Sequence, residues 1–571
     1  MSKKEIAVLV AVLVLTIASM NLISTTKAKQ EIVFITATDQ GPDTWNPNIK
    51  LDIAAIEEIA ADCYSKLVKI NPGTMTIIPD IAASWEISPD MKTYTFNLRH
   101  GVKWHDGVEF TSADVKWTID AVIRDNGFQA PSLKAAGIIN VETPDAYTVV
   151  FNLNRTYNTF LWDLAGLYSG PVMLAKHVFE GTDWKAGNNS GNNGNPIGTG
   201  AFKYFEDVKG DHWTVVKNDD FYLEGPYIDK VTYKITPYLP TEVPLLKAGE
   251  IDSTYELAGA ISDLTDLIGQ PGISIVNYRV SPIQIAAQMN LRRAPFNNTN
   301  FRMAMAYAIN RDDISKRVYL GGCPSTDVYV VNGSYYNPNA KNPPYNTTKA
   351  EELLDAAGYP KGSDGWRAGA EFELISFRTM GTFDVTQVIK EQLAKVGVQV
   401  DVVGLDDVTA KARSRAGNFD MTIQGGYCGP HFSALAPHVV TGGARNFMNY
   451  SNPEVDALFA KASSSTNETE IRESYYRIQE ILLEDMPRLA LVDYRLAVAY
   501  RADRWKGLFF FPEMMNKYWE WQHFTAQSLS VAQENGTPLI PTEYLIAIVV
   551  AVVAVAVASG LVLIRRAHRK K

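Results

Sequence analysis

Cysteine is scarce: Cys63, Cys323 and Cys428 are the only three in 571 residues. That excludes a disulfide scaffold, leaves room for one bridge at most, and provides no CxxC pair for a zinc ribbon or a redox dithiol. Positive charge is not in surplus either. With 54 Lys and Arg against 63 Asp and Glu, the formal charge is -9, which leaves no basic patch for nucleic acid. Catalytic signatures are missing as well: there is no HExxH, no GxSxG nucleophile elbow and no Walker A loop. Gly198-Thr-Gly200 lacks the third glycine or the Gly-Lys-Ser/Thr ending of a phosphate loop. His431 and His438 stand seven apart without a third ligand nearby, so neither a metal nor a cofactor is expected. A paired-carboxylate glycosidase is the hydrolase type that this search leaves open.

Apolar residues are plentiful, 46% of the chain, and the length is too great for one core, so two or three domains are expected. At the start, Lys3 and Lys4 precede an uncharged stretch from Ile6 to Ile23, and Thr26-Lys27-Ala28 offers a small-residue cleavage site. Residues 1–30 therefore read as a secretory signal or, alternatively, an uncleaved anchor. At the other end a linker, 531–544, leads into Leu545 to Ile564, uncharged and aliphatic, close to the ~20 helical residues that cross a bilayer. The tail 565–571 carries Arg565, Arg566, Arg569, Lys570 and Lys571. The positive-inside rule puts both basic ends in the cytoplasm and the body of the chain outside, on a membrane helix over 545–564. Eight Asn-x-Ser/Thr sequons, at Asn154, Asn188, Asn297, Asn332, Asn346, Asn449, Asn467 and Asn535, fit an exported glycoprotein.

One stretch of sequence is especially dense in structural signals. Tyr94, Phe96 and Leu98 alternate with Thr95, Asn97 and Arg99, the period of a half-buried strand. His105-Asp106-Gly107 supplies turn residues, and Thr111 or Ser112 then caps a helix through Val122. His105 has no HxH or HExxH partner, so it reads as a turn histidine held by local hydrogen bonds. Taken with Pro79-Asp-Ile-Ala-Ala-Ser-Trp-Glu86 before it and Phe110-Thr-Ser-Ala-Asp-Val115 after it, this run closely resembles the signature of family 5 extracellular solute-binding proteins, the receptors of peptide, oligosaccharide and nickel ABC importers.

The resemblance recurs in order over nearly all of Glu31 to Phe524. Glu31 to Thr38 reads as a first strand, Gly41 to Pro47 as the loop after it, and Ala54 to Val68 as a helix. Pro196-Ile-Gly-Thr-Gly-Ala-Phe-Lys203 resembles the family's glycine turn, and Leu245 to Asp252 its short helix ending at a glycine. Met289 to Phe296 and Phe301 to Asn310 match the opening of a second lobe. There Thr348-Lys-Ala-Glu351 reads as a capping box, and Asn452-Pro-Glu454 starts a helix whose Val455, Leu458, Phe459 and Ala462 form an apolar stripe. Strands at 371–376 and 398–403 around a helix at 385–396 give a βαβ rhythm, hence an α/β lobe with a largely parallel sheet.

The implied fold is the large two-lobe α/β periplasmic-binding-protein type II fold (cluster C) with an extra domain and a C-terminal transmembrane helix. Domain I would take 31–68, 196–285 and 497–530, domain II 69–195 and domain III 286–496. The implied function is capture of a peptide-like or oligosaccharide-like solute by a monomeric, membrane-anchored extracellular receptor, with separate permease and ATPase chains as partners. The first cysteine, Cys63, lies well inside the domain, so no lipidated cysteine follows the signal and the C-terminal helix must be the anchor, an arrangement similar to archaeal binding proteins. A disulfide between Cys323 and Cys428 is the pairing implied, both falling in the same lobe. The ligand-binding candidates implied are Trp45, as a stacking platform or else a core ring, Arg378, to meet a carboxylate or else as a solvated arginine, and Tyr427 and His431 on the opposite wall. Peptide-binding relatives commonly place an aspartate for the ligand's amino group in this region, and Tyr427 to Phe432 has none, which favours a neutral ligand such as a sugar. Asp39, Asp43 and Asp420 remain as other carboxylates. The rival readings are an extracellular hydrolase and a sensor ectodomain.

Overall fold

The computed structural model describes residues 31–51, 54–71, 76–166, 169–185, 196–236, 241–254, 257–258, 262–278, 283–326, 335–377, 381–427, 431–506 and 527–528. Phe34–Ala526 forms one compact unit; Met1–Val33 with Gln527–Lys571 forms another, of which residues 31–33 and 527–528 are described. Among the described residues no helix is long and apolar enough to cross a membrane. The segments 1–30, 531–544, 545–564 and 565–571 lie outside them.

The first lobe is built on a four-stranded sheet in the order Val33–Thr38, Lys230–Ile235, His212–Lys217, Phe202–Val208. Tyr233 and Trp213 stand directly opposite each other on neighbouring antiparallel strands, and their rings stack at 3.6 Å. Such cross-strand aromatic pairs are a main source of sheet stability. Ser253 bridges Thr36 on one side and Tyr500 on the other. It thereby joins this sheet to a second one, Leu257–Ala258, Leu496–Arg501 and Ile273–Tyr278.

The stretch carrying the signature forms an antiparallel sheet, a meander with its last two strands interchanged, Ala82–Ile87, Thr93–Leu98, Thr148–Leu153 and Ile138–Asp145 in spatial order. Tyr94, Phe96 and Leu98 are buried as their alternation predicts, and Thr111 stands at the N-cap of helix Ser112–Arg124, its N–H donating to Asp114 at 2.9 Å. His105 is held differently from the expectation. Its partners are not local: Nδ1 accepts from the Gly198 N–H at 3.2 Å and Nε2 lies 3.2 Å from the Gly200 carbonyl. With Nδ1 accepting, the proton sits on Nε2, so the ring staples the meander's turn to the glycine turn of the first lobe. Burial lowers the imidazole pKa to about 4, which keeps it neutral for this job.

The glycine turn explains a second difference. The helix expected to run to Val68 ends at Cys63, and a strand follows at Val68–Ile70. Gly200 donates to the Cys63 carbonyl at 3.0 Å, and a Cβ on Gly198 would lie 1.7 Å from that same oxygen. The two glycines thus let this turn approach the helix end, which is a packing role and no phosphate cradle.

The second lobe holds a five-stranded sheet in the order Val400–Leu405, Phe372–Phe377, Met421–Tyr427, Ile283–Met289, Arg488–Asp493. The βαβ unit is present, with helix Thr382–Lys395 between parallel strands. The sheet is parallel over its first three strands only. Ile283–Met289 and Arg488–Asp493 pair antiparallel, because one brings the chain into this lobe and the other carries it out. Asn452 caps helix Pro453–Ser464 as expected, whereas helix Thr347–Ala356 is capped by Asn346, two residues ahead of the expected box, its side chain accepting from Lys349 N–H. Cys323 is a free, buried thiol and not half of a disulfide; its sulfur accepts from Arg495 N–H at 3.4 Å. Cys428 lies outside the described residues.

Candidate ligand cleft

Two passages of chain join the lobes. One runs from strand Ile273–Tyr278 to Ile283–Met289, the other from Arg488–Asp493 to Leu496–Arg501. Residues 323–326 brace the second passage: the Asp493 N–H donates to the Pro324 carbonyl at 2.8 Å and the Thr326 N–H to Leu491 at 3.1 Å. Two short crossings of this kind suit a hinge.

The meander reaches the second lobe through a short helix, Phe160–Ala165. Phe160 packs edge-on to Tyr94 and Phe151, at 4.9 and 5.2 Å, fixing the helix on the meander. Asn158, ahead of it, donates Nδ2 to the carbonyls of Ala462 at 2.8 Å and Ser465 at 2.9 Å, the last turn of helix Pro453–Ser464. Those are carbonyls that a helix end leaves unpaired, so one domain caps a helix of another. The Trp162 ring lies 5.3 Å from that of His431, which in turn meets Tyr335 edge-on at 5.2 Å and Tyr475 at 5.8 Å.

His431 owes its place to capping. Its Nδ1 accepts from the Ser433 N–H at 3.2 Å at the head of the turn Phe432–Leu435. The ring is 6% exposed, and burial lowers its pKa to about 3, so it is a neutral imidazole. Next to Trp162, the partly buried Asp163 accepts from the Tyr157 hydroxyl at 2.8 Å. Burial raises its pKa to about 7.

The other predicted site residues fare unequally. Trp45 is not a platform: it is 2% exposed, edge-on to Tyr204 at 4.8 Å and Trp213 at 5.6 Å, with Nε1 donating to Asp207 at 3.3 Å. It closes the aromatic core of the first lobe. Tyr427 ends strand Met421–Tyr427 opposite Ile283, beside the first crossing. Arg378 follows strand Phe372–Phe377 and lies outside the described residues. Asp420 is taken by Arg293 at 3.0 Å, and Asp43 by Lys50 at 2.6 Å. Asn158, Trp162 and Asp163 belong to no sequence motif; an aromatic followed by an acid in a short amphipathic helix was the only signal for them.

Residues 76–436 match the model of bacterial extracellular solute-binding proteins, family 5 Middle. The chain belongs to this family. Heme-binding protein A of Haemophilus influenzae is 27% identical over 486 residues, covering 81% of this chain and 87% of that protein. The dipeptide-binding protein of Escherichia coli is 26% identical over 515 residues, covering 84% and 91%. The crystal structure of NikZ from Campylobacter jejuni in complex with Ni(L-His) shares the fold, with a TM-score of 0.74 at 23% identity over 87% of this chain and 99% of that one. The two-lobe α/β fold is therefore that of a family 5 binding protein, and the chain is a binding protein and no enzyme. These three proteins are named for heme, for a dipeptide and for a complex with Ni(L-His), so the shared fold does not by itself select a ligand.

Proposed function

We propose that this solute-binding protein captures a peptide-like solute between its lobes and hands it to an ABC importer whose permease and ATPase are separate chains. The observation that supports this reading is the pair of crossings beside Ile283 and Asp493, with Tyr427 standing opposite Ile283 in the sheet at the first of them. Similarity to a dipeptide-binding protein along 91% of its length, and to a peptide transport protein, supports a peptide. The oligosaccharide alternative rested on stacked rings, and with Trp45 in the core it has lost one of them. Arg378 remains a candidate for the solute's carboxylate.

In this reading domain I is 31–68, 196–285 and 497–530, domain II is 69–195 and domain III is 286–496. The protein acts as a monomer outside the cell, held by an anchor at 545–564, a reading supported by its uncharged span and basic tail.

Thermal shift of the purified protein against short peptides, heme, nickel–histidine and oligosaccharides tests the function. A ligand at a hundred times its Kd stabilises by about 2.7 kcal/mol. Stabilisation by peptides alone supports the proposal, and stabilisation by heme or a sugar alone refutes it.

A further inference from the structure

The contact between helix Phe160–Ala165 and the second lobe leaves acceptors without donors. Asp163 has one hydrogen-bond partner for its carboxylate among the described residues, the Tyr157 hydroxyl at 2.8 Å, and forms no ion pair with them. Tyr475 is fully buried, yet its hydroxyl makes no hydrogen bond among them. The His431 ring lies 5.3 Å from Trp162, the neighbour of Asp163, and 5.8 Å from Tyr475, and the Asp163 charge helps, after burial and Tyr335, to raise the Tyr475 phenol. Asn158 spends both protons of its amide on Ala462 and Ser465, which turns its buried Oδ1 away from them without a partner. An orphaned buried hydroxyl and a carboxylate without a counter-charge are each costly unless something satisfies them.

Around them stand rings. Trp162, His431 and Tyr335 form a chain with centroids 5.3 and 5.2 Å apart, and Tyr475 lies 5.1 Å from Tyr335. Arg472 lies over the Tyr335 ring, 5.3 Å from its centroid, but is paired with Glu468 at 2.7 Å, and no lysine or arginine forms an ion pair with Asp163 among the described residues. Unpaired acceptors beside aromatic faces suit a group that is all donor and positively charged.

We propose that Asp163 and Tyr475, walled by Trp162, Tyr335 and His431, bind a primary ammonium group carried by the solute. This deepens the peptide reading and rests on it. Asp163 comes from the meander and Tyr475 from helix Glu468–Asp485 of the second lobe, so the ammonium has both partners only when the two meet. Its binding therefore favours the closed arrangement through contacts that an open one lacks.

The test is calorimetry on the full-length protein with tetra-alanine and N-acetyl-tetra-alanine, using the wild type, Asp163→Asn and Tyr475→Phe. Asparagine keeps the acceptor for Tyr157 and removes the charge. The free-amine peptide should bind Asp163→Asn at least about tenfold more weakly, with the acetylated one unchanged. Tyr475→Phe should cost about threefold for the free amine alone. Equal loss for both peptides, or loss for neither, overturns the site and leaves the peptide reading standing. If neither peptide binds the wild type, the peptide reading fails and ethylammonium becomes the probe. A thermal shift by ethylammonium that Asp163→Asn abolishes then supports the site, and no shift overturns it.

Discussion

The ring of Trp162 lies against that of His431, 5.3 Å between centroids and tilted by 37°. One belongs to the helix that follows the meander and the other to the second lobe, so this contact, with the Asn158 cap beside it, joins the two.

Removing the cap should loosen that arrangement without unfolding either side. Asn158→Ala deletes two hydrogen bonds to the end of helix Pro453–Ser464, worth about 0.5–1.5 kcal/mol each. Small-angle scattering of the ligand-free variant should give a larger radius of gyration than the wild type, with an unchanged circular dichroism spectrum. An identical envelope would show that the cap does not hold closure.

Trp45→Ala should act on stability. A buried tryptophan in a ring cluster costs roughly 3–5 kcal/mol on truncation, and chemical denaturation should show it. Solute affinity of the folded fraction should stay within about twofold. A variant of wild-type stability that no longer binds would return Trp45 to the ligand site.

Much of the fold was legible because it is written in local chemistry. The alternation at Tyr94, Phe96 and Leu98 and the Asn452-Pro453 helix start each depend on a few neighbouring residues, and all stand as read. What failed depended on distant ones. Nothing near Val68 announces that the helix stops at Cys63, because the cause is Gly198 and Gly200 arriving from far along the chain. Trp45 looks the same in sequence whether it faces a ligand or Trp213. Asp163 is an ordinary acid until burial raises it, and His105 is a turn histidine whose true partners lie over ninety residues away.

Gly198→Ala should be among the more damaging small changes in the chain. The added Cβ would sit 1.7 Å from the Cys63 carbonyl, backbone against backbone, where no side chain can yield. A loss of about 1–3 kcal/mol or more is expected, with His105 losing its anchor as well. Gly181→Ala is the control: its φ of +80° costs about 1–2 kcal/mol, but the added Cβ meets no atom within 4 Å. Urea midpoints for the two variants should therefore separate, Gly198→Ala falling further.

Truncation after Ser530 removes the linker, the span 545–564 and the basic tail. With the signal processed, the shortened protein should leave the membrane fraction and appear in the medium. Sedimentation with membranes after truncation would place the anchor elsewhere.

His431 gives the stability of the closed protein a pH dependence of known sign. Its pKa is about 3 in the fold against an ordinary 6.5, because burial penalises the cation and the groups around it, Trp162, Tyr335, Tyr475 and Ser433, bring no charge that favours it. The unfolded chain therefore binds the proton first as pH falls below 6.5. Stability is complete above that value and declines towards the folded pKa by about 1.4 kcal/mol per pH unit. Asp163, raised to about 7, works in the opposite sense and gains stability as pH falls through that value, while His105 and His438, lowered to about 4 and about 3 by burial, add to the loss, so the raw profile mixes them all. His431→Asn separates them. Its Oδ1 replaces Nδ1 as the acceptor for the Ser433 N–H, keeping the cap while removing the titration. Between pH 6.5 and pH 5 the wild type should lose about 2 kcal/mol more than the variant in urea denaturation, and parallel profiles would mean that the imidazole is not held neutral by its burial.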